Sequence, residues 1–105
     1  MIYARNVSNM YYRCESLERL DIAGECSNAT DWSWMFYGCK KLKELTIGPM
    51  FNPSSAKYYS NVFGNIKNNQ IRVYVRSTDN NVFEEIKGYV KKLGFIEGTT
   101  GYFEH

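Results

Sequence analysis

Along this chain the apolar positions follow one pattern, written twice and then blurred. In ATDWSWMFYGCKKLKELTI, from Ala29 to Ile47, the pattern is carried by Ala29, Trp32, Met35, Phe36, Gly38, Cys39, Leu42, Leu45 and Ile47. Twenty-five positions earlier, ARNVSNMYYRCESLERLDI sets Ala4, Val7, Met10, Tyr11, Cys14, Leu17, Leu20 and Ile22 in the same places. Twenty-seven positions later, AKYYSNVFG repeats the first half: Ala56, Tyr59, Val62 and Phe63 align, and Gly64 answers Gly38 once one residue is dropped.

Within each unit the steps of three, six and seven from the alanine are helical, so the spacing predicts a short helix or helical turn before each cysteine position. Asn28 with Asp31 reads as a helix start, as do Pro53, Ser54 and Ser55, because short polar side chains cap exposed amides. Gly38 and Gly64 read as stops, since glycine tolerates a positive φ. The L-x-x-L-x-I runs ending at Ile22 and Ile47 alternate as short strands do. IRVYV predicts a third strand with Ile71, Val73 and Val75 on one face and Arg72, Tyr74 and Arg76 on the other. Residues 82–93 set Val82, Phe83, Ile86, Tyr89, Val90 and Leu93 on one helical stripe, with Asn81 and Glu84 as a cap pair and Gly94, Phe95 as the exit. The tail FIEGTTGYF predicts a small strand and turn packed on that helix.

A turn plus a strand cannot bury its own apolar face, so such units stack and their strands pair in parallel. The expected fold is therefore α/β, a single domain over residues 1–105. Three units over 4–76 form a short right-handed solenoid, with a parallel sheet on one side and helical turns on the other, and residues 77–105 cap it. The first strand is left as an edge, which its charges (Glu15, Glu18, Arg19, Asp21) blunt or which pairs with a second copy of the chain.

The segments MFYGCKKLKELTI and MYYRCESLERLDI carry a resemblance to a known family, the cysteine-bearing BspA-like leucine-rich repeats of bacteria. The likeness spans Ala4 to Val75; the third unit departs from it, with Asn65 or Ile66 where the cysteine stands and without the L-x-x-L spacing. The resemblance implies a leucine-rich-repeat solenoid and a role in adhesion or protein recognition, usually in longer secreted arrays. This chain departs from that by its brevity and by having no apolar leader.

Composition narrows the function classes. With 44% hydrophobic and 23% charged residues, the chain is that of an ordinary folded domain. No window approaches a membrane span, so the chain as written is expected in the cytoplasm, or outside the cell if it is a piece of a longer secreted protein. In the cytoplasm the glycosylation acceptors at Asn6 and Asn28 would be idle. Cys14 and Cys39 hold equivalent repeat positions, which favours reduced, buried thiols over a disulfide. No catalytic constellation is present: His105 is the single histidine, the cysteines lack C-x-x-C spacing, and Glu84 and Glu85 are adjacent on a helix and do not face each other. No metal, cofactor or catalytic residue is expected.

Binding is what remains. The residues the strands leave outward are Lys43, Glu44 and Thr46 on the second strand and Arg72, Tyr74 and Arg76 on the third, with Glu18 set to meet Lys43 and Arg19 to meet Glu44. Residues 45–78 carry Lys57, Lys67, Arg72 and Arg76 and no acid, so the third strand reads as a basic end, joined by Lys87, Lys91 and Lys92, that would draw an acidic protein or nucleoprotein partner. Direct nucleic-acid binding is not expected, since net charge is +2 and no nucleic-acid module is present. Tyr11, Tyr59 and Tyr89 are assigned to the core. The functional expectation is a non-enzymatic protein-recognition module. The alternatives are a small intracellular inhibitor, of the kind a phage carries, that binds and blocks a host nucleoprotein or defence nuclease, and an oligomeric structural piece.

Overall fold

A computed structural model describes residues 6–22, 28–66 and 70–105. Its elements in chain order are β1 (Arg19–Ile22), β2 (Glu44–Ile47), β3 (Ile71–Val75), α1 (Asn80–Lys92) and β4 (Gly101–Glu104). The strands form one parallel sheet in the order β1-β2-β3-β4. Register follows the sequence spacing: Leu20 pairs with Leu45 and Leu45 with Val73, while Ile22 pairs with Ile47 and Ile47 with Val75. Equal steps between apolar residues thus stack like on like, which is what one buried face demands.

The fourth strand extends the expectation for the tail. Rather than packing only on α1, Gly101–Glu104 pairs in parallel with β3, Val73 opposite Phe103. Gly101 makes this approach possible, because a Cβ there would overlap the Ile71 backbone.

The side opposite the sheet differs from expectation. No α-helix forms over 29–36; tight turns take its place. Alternate amides are claimed by the next unit: Val7, Asn9, Tyr11 and Arg13 donate to the carbonyls of Asp31, Ser33, Met35 and Tyr37, and Trp32, Trp34, Phe36 and Gly38 donate to those of Tyr58, Ser60, Val62 and Gly64. Of the amides between them, those of Ser8 and Ser33 bond to the Asn6 and Asp31 side chains, and the others bond three residues back, as Met35 does to Trp32 and Tyr37 to Trp34. A helix needs its amides for bonds four residues back, so this ladder excludes it. The proposed helix starts are instead local turns: Asp31 Oδ1 accepts from the Ser33 amide at 3.0 Å, and Asn52 Oδ1 from the Ser54 amide at 2.9 Å. Pro53 and Ser55 belong to this second turn, where the Pro53 carbonyl accepts from the Ala56 amide. Asn28 is exposed and outside any helix.

The ladder requires left-handed residues at fixed places. Asn9, Trp34 and Asn61 have φ of 60°, 64° and 56°, and Arg13, Gly38 and Asn65 have φ of 54°, 73° and 54°. Each set steps by 25 and then 27, so the counterpart of Gly38 is Asn65 and no residue is lost from the third unit. Gly64 instead aligns with Tyr37. There a Cβ would lie 2.8 Å from Cδ2 of the Tyr37 ring, so glycine leaves room for that ring.

Between sheet and turns lies the core, with Trp32, Met35, Leu42, Leu45, Val62, Ile71, Val73 and Val75 fully buried. An aromatic column runs through it: Tyr11 stacks on Phe36 at 5.8 Å, Phe36 on Phe63 at 5.3 Å, and Phe63 meets Phe95 edge-on at 5.5 Å. Trp32 Nε1 donates to the Ala29 carbonyl at 3.1 Å, so its indole is buried with its polar atom satisfied. Neither Cys14 nor Cys39 is in a disulfide; Cys26 lies outside the described residues. Cys39 Sγ donates to the Tyr11 carbonyl at 3.0 Å, and burial pushes its thiol pKa up.

Among the described residues the core is closed at one end. There α1 supplies Ile86 and Val90, followed by buried Leu93 and Phe95, while Val82, Phe83 and Tyr89 are half-buried. The helix starts at Asp79, whose side chain accepts from the Asn81 and Val82 amides, and not through an Asn81 and Glu84 pair. Gly94 follows with φ 104°, as the exit requires. In the first unit Met10 is 40% exposed, against 0% for Met35 and 1% for Val62, and Tyr11, Cys14, Leu17 and Leu20 are only half-buried. Among the described residues no helix is long and apolar enough to cross a membrane.

Candidate functional site: the outer face of the sheet

Parallel pairing in register puts every second strand residue on the outer face. Arg19, Glu44, Arg72 and Tyr102 form one row across the four strands, and Asp21, Thr46, Tyr74 and Glu104 form the next. Arg76 follows β3 and Lys43 precedes β2.

Ion pairs connect these rows. Arg19 Nε lies 3.0 Å from Glu44 Oε2, Arg72 Nη1 lies 3.5 Å from Glu44 Oε1, and Arg72 Nε lies 3.2 Å from Glu104 Oε1. The result is an unbroken line Arg19, Glu44, Arg72, Glu104 that spans all four strands. Arg76 Nη2 reaches back across β2 to Asp21 Oδ2 at 2.5 Å. The Tyr102 hydroxyl bonded to Arg72, and then the Glu104 carboxylate, hold the guanidinium further toward its charged form. The backbone knits the strand entrances, with the Lys43 amide donating to the Glu18 carbonyl and the Arg72 amide to the Lys43 carbonyl.

Two shallow hollows lie on this surface. One, of about 270 Å³, is lined by Glu44, Thr46, Arg72, Tyr74 and Glu104. The other, of about 310 Å³, is lined by Lys43, Glu44, Gln70, Arg72 and Tyr102. Arg72 stands between them, with Tyr74 (43% exposed) on one side and Tyr102 (41% exposed) on the other.

All six residues singled out from the sequence, Lys43, Glu44, Thr46, Arg72, Tyr74 and Arg76, therefore lie on or beside one surface. Gln70, Tyr102 and Glu104 were missed. The last two sit on β4, outside the repeat, although the alternation of Gly101, Tyr102, Phe103 and Glu104 is itself a strand signal. The basic end does not form as expected. Residues 45–78 lack acids, but Asp21, Glu44 and Glu104 arrive from neighbouring strands and pair with Arg72 and Arg76. The cap-helix lysines are not part of this surface. Lys87 and Lys91 lie 5.6 Å and 6.0 Å from the Phe103 ring on the inner side of β4 and pair with Glu84 and Glu97, while Lys92 rests over Tyr59. Lys67 is outside the described residues. Of the tyrosines assigned to the core, Tyr11 and Tyr89 are half-buried and Tyr59 is exposed.

His105 stacks on Phe83 at 4.4 Å, away from the strand face. Among the described residues no group of three or more His, Cys, Asp or Glu is placed to hold a metal ion. In comparisons with known proteins, no family model, no curated protein and no solved structure matches this chain.

Proposed function

We propose that the chain is a short leucine-rich-repeat solenoid of three units, of the BspA-like kind, acting as a non-enzymatic protein-recognition module through the outer face of its sheet. The observation that carries this reading is the row of ion pairs across four strands, flanked by exposed Tyr74 and Tyr102. Tyrosine and arginine are the residues that concentrate binding energy, because each joins a large contact area to directional hydrogen bonds. Side chains already held by their neighbours lose less freedom when a partner arrives. The solenoid reading rests on the turn ladder, which steps by 25 and then 27 positions, and on the in-register strands, which step by 25 and then 28.

The partner is a protein whose surface matches alternating signs. Cations from Arg19, Lys43, Arg72 and Arg76 are interleaved with anions from Asp21, Glu44 and Glu104, so complementarity sets register and specificity more than raw attraction. The test is affinity capture from the native host with mass spectrometry. Replacing Arg72, Tyr74 and Arg76 together with alanine is expected to abolish capture of the specific partner while circular dichroism stays unchanged. Undiminished capture would remove this face as the site.

A further inference from the structure

Among the described residues the first unit is the less covered end of the stack. Its inward residues are chemically like those of the second unit, yet Met10, Tyr11, Cys14, Leu17 and Leu20 are all more exposed than Met35, Phe36, Cys39, Leu42 and Leu45. The cause is that β1 ends the sheet, and among the described residues no strand pairs with its outer side. A half-covered apolar row beside an edge of backbone donors and acceptors is a template for another strand.

We infer that this end binds a second copy of the chain, β1 pairing antiparallel with β1 about a two-fold axis at Leu20. The choice of occupant and register comes from the β1 residues themselves. Antiparallel pairing sets residues of the same face opposite each other, so a register that brings Leu20 against Asp21 is excluded. Centring on Asp21 sets two like charges against each other. Centring on Leu20 sets Leu20 against Leu20 and, twice over, Arg19 against Asp21 of the other copy. The ion-pair row then continues through the junction, from Glu44 and Arg19 of one copy to Asp21 and Arg76 of the other. The two four-stranded sheets become one of eight strands, with the binding faces of both copies on the same side. This inference does not depend on the recognition reading.

Charge exchange tests it. In sedimentation, the unaltered chain is expected to be a dimer that dissociates on dilution. Arg19→Asp sets aspartate against Asp21 at both contacts, and Asp21→Arg sets arginine against Arg19, so each variant alone is expected to be monomeric, with dimer affinity down at least about tenfold. An equal mixture of the two restores both opposite-charge contacts and is expected to sediment as a heterodimer. Hydrogen exchange on the unaltered chain gives a reading that needs no variant: amides of Arg19–Ile22 gain protection as concentration rises, and those of Gly101–Glu104 do not. A chain that stays monomeric at about millimolar concentration, the weak end of specific affinity, overturns the inference. So does association that grows without limit, which would mean β1 joining β4, or a mixture no more dimeric than its components.

Discussion

At the scale of single residues, conformation decides more than contact. Gly38 and Gly88 are both glycines in ordered structure, but they answer different demands. Gly38 sits at φ 73°, where a side chain is strained whatever the space, and an added Cβ would also come within 3.1 Å of Arg13 Cγ. That arginine tail can move; the backbone angle cannot. Gly38→Ala is therefore expected to destabilise by about 1–2 kcal/mol, the usual cost of a left-handed residue with a Cβ. Gly88 is an exposed helical position in α1 with nothing within 4 Å of an added Cβ. Gly88→Ala is expected to stabilise by about 0.5–1 kcal/mol, because glycine loses the most backbone freedom in a helix. Urea denaturation of both variants checks the pair, and a common sign would refute the account. Trp34 belongs with these positions: its counterparts Asn9 and Asn61 are residues that tolerate φ near 60°, whereas a bulky indole there is a true outlier. Its ring rests edge-on against Tyr37 at 4.7 Å, a contact that offsets part of that strain.

At the scale of elements, what was legible depended on whether the repeat itself set the structure. Leu20, Ile22, Leu45, Ile47, Ile71, Val73 and Val75 alternate or step at equal offsets, and the strands they predict are present in that register. The turn side was misread because apolar residues three, six and seven apart mark two structures equally well. One is a helix; the other is a run of tight turns whose intervening amides bond to the next unit, which a single unit cannot reveal. The left-handed residues are the clue that was there, recurring as Asn9 and Arg13, Trp34 and Gly38, Asn61 and Asn65. The site was half legible for a similar reason. Alternation shows that Arg72, Tyr74 and Arg76 face out, but which acids stand beside them depends on strand order, and Glu104 comes from a strand outside the repeat. For α1 the stripe was plain and the cap was not, since Asp79 lies before the first apolar residue. Its carboxylate accepts from the Asn81 amide at 2.8 Å and the Val82 amide at 3.4 Å, so Asp79→Ala is expected to cost about 0.5–2 kcal/mol. Thermal melts will show whether the cap helix loses that stability.

At the scale of the whole molecule, stability should grade along the stack. A unit's apolar residues are buried by the units on either side, so an interior unit gains two interfaces and an end unit one. The cap removes that handicap at one end: Ile86, Val90, Leu93 and Phe95 cover the third unit, and Phe95 continues the aromatic column from Phe63 at 5.5 Å and on to Phe103 at 5.0 Å. Nothing equivalent is described beyond the first unit, where Leu17 is half-buried while its counterpart Leu42 is fully buried. The two leucines occupy the same repeat position, so truncating each compares coverage with chemistry held constant. Leu42→Ala leaves a cavity that neighbours on both sides prevent from collapsing, and is expected to cost about 2–5 kcal/mol. Leu17→Ala removes less buried area and leaves a site open to relaxation, so about 1–2 kcal/mol is expected from its half-covered side chain. Denaturation must be measured at low protein concentration, where a two-fold contact through β1 is dissociated. Raising the concentration should then enlarge the Leu17 cost toward that of Leu42, because a second copy supplies the missing neighbour. Equal costs at high dilution would show that the first unit is already as well covered as the second, and would remove the reason for any partner at that end.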